Sequence, residues 1–218
     1  MAGGKVLVVG ATGAVGGLAS EILAHRGASV ALAGRDASRL TERSIPLGGC
    51  PCLPFDAYDL EGCAALAPRA AQALGGLDAL IIAIGVAGFG RAEEVTNAAA
   101  EHLLAVNALA PMAVARGALG VMAAGSTIAV VTGAIVEKPM RGMADYTASK
   151  AALAAWLGVV RREQRTRGIA VVDVRMPHLD TGFADRAVIG KAPRLPTGLD
   201  AYAAVEELVV QPILAGAA

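Results

Sequence analysis

The chain has 218 residues, 55% of them hydrophobic and 3% aromatic, with 19 basic and 19 acidic side chains in formal balance. That length fits one α/β domain, residues 1–218, with a core packed mainly from Ala, Val, Leu and Ile. Without a basic excess, nucleic acid and an anionic membrane surface are not expected partners.

In chain order, short apolar and β-branched runs alternate with longer Ala-rich stretches of helical character. Strands are predicted at Lys5–Val9, Ser29–Ala33, Cys52–Phe55, Ala79–Ala83, Thr127–Val131 and Ala170–Val174. Helices are predicted near Val15–His25, Asp59–Leu74, Thr96–Ala123 and Ala144–Arg167. Several strands are apolar at nearly every position, as parallel strands covered on both faces are. The expected class is therefore α/β, a three-layer, doubly wound parallel sheet of about six strands. The N-terminus lacks the order of a signal peptide, and an odd number of cysteines gives no disulfide framework, so a cytoplasmic setting is expected. Cys50, Cys52 and Cys63 lack a fourth ligand at a standard zinc spacing; they read as small core residues, and no metal is expected. The uncharged run Leu103–Ala115 falls short of the roughly 18 apolar residues of a spanning helix, so no membrane span is expected. Residues 177–198 are rich in proline and glycine and read as one long loop, the kind that often covers a substrate. A last helix near Leu199–Val209 precedes a small apolar tail, with no seventh strand in sight.

Strand one runs into Gly10-Ala11-Thr12-Gly13-Ala14-Val15-Gly16-Gly17 and then a helix. A tight strand-to-helix turn needs backbone freedom, a pyrophosphate needs an approach free of Cβ atoms, and the helix must pack closely on its strand. Gly10, Gly13 and Gly16 meet these needs, and the helix N-terminus offers free N–H groups to phosphate. This points to a Rossmann fold holding a dinucleotide; the alternative is a packing turn without ligand. After strand two the chain reads Gly34-Arg35-Asp36. An acidic strand-end residue would favour NAD, whereas Arg35 suits a 2′-phosphate. Asp36 has a plainer use as a helix N-cap, so NADPH is the expected cofactor.

Tyr146 and Lys150 lie four apart at the start of a helix and share a face. An adjacent ammonium, with the charge of an oxidised nicotinamide, is expected to lower the phenol pKa and let Tyr146 exchange a proton with a carbonyl or alcohol. An exposed surface pair is the alternative.

Together the Gly10–Gly17 turn, Asp56, Asn107, Tyr146-x-x-x-Lys150 and Pro177 fall in the order and approximate spacing of the short-chain dehydrogenase/reductase family, which the sequence resembles over nearly its whole length. The resemblance implies a cofactor site of Gly10, Thr12, Gly13, Val15, Gly16, Arg35, Asp56, Ala57, Ala83, Ile84, Gly85, Thr132, Tyr146, Lys150, Pro177, Leu179 and Thr181. Asp56 and Ala57 would flank the adenine, and Pro177, Leu179 and Thr181 the nicotinamide. Tyr146 would be the acid/base, Lys150 would hold the nicotinamide ribose, and Asn107 would anchor a relay water or be an ordinary buried amide.

The sequence departs from the family in four places. The glycine spacing is that of its extended members. The usual Asn-Ala-Gly after strand four is Ala83-Ile84-Gly85, and Pro-Gly after strand six is Pro177-His178. Most seriously, the family's catalytic Ser, thirteen residues before the Tyr, is Gly133. Thr132, a backbone N–H near Gly133 or a side chain of loop 177–198 could replace its hydroxyl; His178 is a substitute donor or a structural ring bonded to backbone. The expected function is NADPH-dependent reduction of a small-molecule carbonyl, or the reverse oxidation. A non-redox cyclisation, dehydration or isomerisation, or a non-catalytic NADP(H) sensor, remain alternatives. A homodimer or homotetramer through the long helices is expected.

Overall fold

A computed structural model describes residues 3–216. Six parallel strands form one sheet in the order β3-β2-β1-β4-β5-β6. They are β1 (Lys5–Val9), β2 (Ser29–Gly34), β3 (Cys52–Pro54), β4 (Ala79–Ile82), β5 (Thr127–Val131) and β6 (Ala170–Val174). The helices are α1 (Ala14–His25), α2 (Ala37–Ser44), α3 (Leu60–Leu74), α4 (Asn97–Leu104), α5 (Ala110–Leu119), α6 (Ala144–Gln164), α7 (Ala201–Val205) and α8 (Gln211–Gly216).

The strand pleat explains the three layers. Successive side chains point to opposite faces, so Leu7 and Val9 enter one apolar cluster with residues of α3, α5 and α6. Val6 and Val8 enter the other, with Leu23 of α1, Leu40 of α2 and Val205 of α7. Residues 6–9 are all fully buried, as a central strand covered on both sides requires. The order reverses between β1 and β4, and in open sheets of this kind ligands bind outside the carboxyl ends of the strands at that reversal.

Two of the expected helices differ in the structure. The helix near 96–123 is α4 and α5 joined by a π-turn at Ala105–Leu109, where Asn107 sits. This joined helix, Asn97–Leu119, has 23 residues and a mean hydropathy of 1.4, long and apolar enough to span a membrane, contrary to the reading of its uncharged run. Its most apolar window is 50% buried, as the core helix of an α/β layer would be. The last helix does not stop at Val209 but continues through a π-turn into α8, burying Val210 and Ile213 under the sheet.

Candidate active site

The glycine turn is shaped first by packing. A Cβ on Gly10 would lie 2.6 Å from the carbonyl oxygen of Ala83, and one on Gly16 would lie 2.4 Å from that of Gly10. These two glycines let β1, β4 and α1 meet. Gly13 is different: it is exposed at the mouth of the turn, and as the N-cap of α1 it has no side-chain cap. The first N–H groups of α1, from Ala14 to Gly16, therefore point outward unpartnered among the described residues, the arrangement that binds phosphate. Thr12 and Val15 flank this opening, half-buried.

At the end of β2, a Cβ on Gly34 would crowd Leu40 at 3.3 Å and Thr12 at 3.4 Å, so an acidic side chain there would force its neighbours aside. Arg35 is exposed and free of ion pairs among the described residues. Asp36 caps α2, accepting from the Arg39 N–H at 3.1 Å. The Arg39 guanidinium reaches back to the Thr12 carbonyl at 3.1 Å, so a second cation stands beside Arg35 at the turn. The sequence reading missed Arg39; its place one turn past the Asp36 cap was the available signal. Asp56 accepts from the Tyr58 N–H at 2.9 Å through one carboxylate oxygen and stays exposed beside the buried Ala57. Nearby, the Tyr58 hydroxyl hydrogen-bonds His102 of α4 and the two rings stack.

Ala83, Ile84 and Gly85 leave the end of β4 half-buried. A Cβ on Gly85 would come within 3.0 Å of the Lys150 Nζ and 3.1 Å of the Asn107 Oδ1, which explains why glycine persists where Asn and Ala do not. Asn107 is wholly buried and its amide is fully engaged. Its Oδ1 accepts from the Val86 N–H at 2.8 Å, and its Nδ2 donates to the Val86 carbonyl and the Ser149 hydroxyl, each at 3.0 Å. The side chain thus ties α4, α5 and the β4 exit to α6. Ser149 continues the link to the Tyr146 carbonyl at 2.7 Å; no sequence motif had marked it.

Tyr146 and Lys150 project from one face of α6, as the spacing predicts. Lys150 is buried and donates to the Val131 carbonyl at 3.2 Å. Burial lowers its pKa to about 8, against a smaller upward pull from the Asp173 carboxylate. The expected lowering at Tyr146 is not what the protein chain produces: burial pushes the phenol up to about 12. The physical reason is that burial desolvates the phenolate and so penalises it. Tyr146, partly buried, packs against the cluster of Ala87, Phe89 and Met143, and Phe183, Ala184, Ala187 and Ala192 of the 177–198 loop pack against the same cluster.

Gly133 has φ +105°, a conformation that L side chains rarely adopt. Thr132 does not take the place of the missing Ser hydroxyl, because its side chain is buried and its hydroxyl donates to Asp173, whose other oxygen pairs with Arg175 at 2.7 Å. The His178 ring is not held by backbone. It bonds the Asp180 carboxylate at 3.1 Å. Pro177 and Thr181 are half-buried beside the buried Leu179, at the carboxyl end of β6. Burial also pushes the Cys50 and Cys63 thiols up to about 11, away from the reactive thiolate form.

A reversal point fitted with backbone N–H groups and a deep lysine is the equipment of a nucleotide-binding α/β oxidoreductase. The sequence pattern described as "short chain dehydrogenase" matches residues 4–190, and the chain belongs to that family, whose members bind NAD(P). It is 31% identical over 176 residues to an uncharacterized oxidoreductase of Methylorubrum extorquens, covering 77% of this chain and 70% of that one. Among solved structures, it is similar to a dehydrogenase/reductase from Sinorhizobium meliloti 1021 (29% identity, TM-score 0.77, 95% of this chain and 80% of that one). It is also similar to a short chain dehydrogenase from Burkholderia cenocepacia J2315 in complex with NADP (25% identity, TM-score 0.81, 94% and 88%).

Proposed function

We propose that the protein is an NADPH-dependent reductase of a small-molecule carbonyl, with Tyr146 as proton donor. The observation that carries this reading is the Tyr146–Lys150 pair on one face of α6, with Lys150 buried, Tyr146 half-buried and burial favouring the neutral, proton-donating phenol. A neutral phenol suits reduction, in which the developing alkoxide takes the Tyr146 proton. The cofactor, when bound, supplies the hydride.

The chain's residues fit that cofactor. The open N-terminus of α1 and the exposed Gly13 receive the pyrophosphate, and the Asp56 carboxylate receives the adenine amino group. Arg35, with Arg39 beside it, suits the 2′-phosphate, and an acidic side chain at Gly34 of the kind NAD sites use would have to push Leu40 and Thr12 aside. Lys150 reaches the nicotinamide ribose, while Gly85 and Asn107 keep its path clear. Loop 177–198 covers the reacting face and excludes water.

The test follows NADPH absorbance with purified protein and a panel of ketones and aldehydes. Steady loss of NADPH with formation of the alcohol is expected. Tight NADPH binding without turnover on any member would overturn the reading. The missing hydroxyl at Gly133 favours one alternative, a non-redox reaction in the same pocket, recognised by a product of unchanged oxidation state.

A further inference from the structure

A carbonyl that accepts a hydride develops negative charge on oxygen, and a donor aimed at that oxygen lowers the barrier. Around Gly133 the groups that could donate are already committed. Gly133 has no side chain, and the Thr132 hydroxyl donates to Asp173. Backbone does not stand in for it. The Thr132 and Gly133 N–H groups both donate to the Val174 carbonyl, at 3.1 and 3.2 Å, and the Ala134 N–H donates to the Met176 carbonyl at 2.9 Å. Near Tyr146, the Ser149 hydroxyl donates to the Tyr146 carbonyl, and the Asn107 amide donates to Val86 and Ser149. The Thr147 hydroxyl is sealed from solvent. Of all these groups, the Tyr146 hydroxyl alone is left to meet a substrate oxygen.

The same place is apolar. A Cβ on Gly133 would lie 3.9 Å from the Ile135 Cγ2, and Ile135, Tyr146 and Phe183 all pack against the cluster of Ala87, Phe89 and Met143. The position of the missing hydroxyl therefore abuts the wall on which the proton donor sits. Of the chain's three Phe, three Tyr and one Trp, Phe89, Phe183 and Tyr146 gather on this one cluster. In so aromatic-poor a chain, that concentration suits a flat, apolar molecule. Burial raises the Tyr146 phenol to about 12, so these surroundings penalise negative charge. The penalty falls equally on a carboxylate beside Tyr146 and on a developing alkoxide.

We propose that the substrate is a neutral aryl 1,2-dicarbonyl compound, a ketone whose adjacent carbonyl supplies the activation that Gly133 cannot. This rests on the reductase reading above and names the substrate class for it. A simple ketone gives a strongly basic alkoxide and needs a second donor from the protein. A ketone beside another carbonyl carries its own electron-withdrawing group, which spreads the developing charge without any help from Gly133. A 2-oxo acid is activated in the same position, but its carboxylate would have to be buried beside Phe89, Met143 and Phe183. A diketone or 2-oxo ester brings the activation without the charge.

In the step itself the ketone carbon accepts the hydride from NADPH, which is oxidised to NADP⁺. The π pair of that carbonyl moves onto its oxygen, and the oxygen takes the Tyr146 proton. The adjacent carbonyl is unchanged, so the product is a 2-hydroxy ketone or 2-hydroxy ester, and Tyr146 regains its proton from solvent.

The experiment uses three matched probes: methyl phenylglyoxylate, which is neutral and activated; phenylglyoxylate, its anion; and acetophenone, which lacks the second carbonyl. With NADPH, kcat/KM for the methyl ester should exceed that for acetophenone by about 10²-fold or more, the weight of one oxyanion donor. The reference for intrinsic reactivity is the ratio of the two rates with borohydride in buffer. An enzyme ratio below the borohydride ratio would show that the protein supplies the activation, and would overturn the inference while leaving the reductase reading standing. Turnover of phenylglyoxylate equal to that of its ester would overturn it as well. Binding to the NADP⁺-loaded protein, read by calorimetry, needs no turnover. The methyl ester should bind more tightly than the anion. Phe183→Asp should weaken the ester by about 10-fold or more, with NADPH affinity unchanged, and Phe183→Leu should restore it. Equal affinity for ester and anion, or no binding of the ester, would overturn the inference whether or not turnover is seen. Selective binding of the ester without turnover of any probe would uphold the substrate class and count against hydride transfer alone.

Discussion

The two halves of the sheet are built on different terms. The β1–β3 half makes its site from backbone: glycines where no Cβ fits, an uncapped helix end, and one row of cations at its edge. The β5–β6 half makes its site from side chains, and two of the four departures from the family, Gly133 and His178, fall there. Backbone sites tolerate side-chain change as long as their glycines are kept, whereas a side-chain site can be rewritten residue by residue. Holding a nucleotide and choosing a reaction are therefore separable in this protein, and each can be broken alone.

The largest separation comes from Tyr146→Phe. It removes a proton donor and no cofactor contact beyond one hydroxyl, so kcat should fall by about 10²–10⁴-fold. NADPH affinity should stay within a few-fold of wild type, read by fluorescence titration. Equal losses in both would show that the two halves are not independent. In the other half, Gly16→Ala should do the opposite. Its Cβ would meet the Gly10 carbonyl at 2.4 Å, and backbone cannot step aside cheaply. A loss of about 1–3 kcal/mol of stability is expected, as for overpacked sites, together with weak NADPH binding. Thermal unfolding with and without NADPH measures both.

Arg35→Ala is a finer cut within the backbone half. A charge-assisted contact is worth about 1.5–3 kcal/mol, so NADPH affinity should fall roughly 10- to 100-fold while NADH affinity hardly changes. A parallel loss for both cofactors would remove the 2′-phosphate from the reading of that edge.

How legible each half was follows from the same difference. The β1 strand, the glycine turn and the Tyr146–Lys150 face could be read because period and spacing fix them locally. Arg39 and Ser149 were missed because their roles depend on which neighbour they reach across the fold, at Thr12 and Asn107. At Tyr146, spacing reveals a nearby ammonium but not the burial that pushes the phenol up in the chain alone. The π-turn at Asn107 has no periodic signature at all, since it is one widened turn inside an otherwise regular helix. His178 was visible as a departure, but its partner Asp180 is held by Gly198, eighteen residues away across the loop.

Lys150 joins the halves, and it predicts the subtlest effect, a stability change that depends on pH. Its pKa is lowered from 10.5 to about 8 by burial. Below about pH 8 both folded and unfolded chains carry the proton, and the full cost of a buried ammonium is present. Between about pH 8 and 10.5 the unfolded chain holds the proton while the folded one releases it, so stability rises with pH through that window. Lys150→Met removes this cost. It should raise stability at pH 7 by on the order of 2 kcal/mol after allowing for the orphaned Val131 carbonyl, and the advantage should shrink by pH 9.5. Chemical denaturation at the two pH values reads it. The same variant should lose turnover and part of its NADPH affinity, because in the proposed site the ammonium holds the nicotinamide ribose beside Tyr146. A variant that is less stable at pH 7 would mean that Asp173 and the Val131 carbonyl outweigh desolvation, and that Lys150 is a structural cation first.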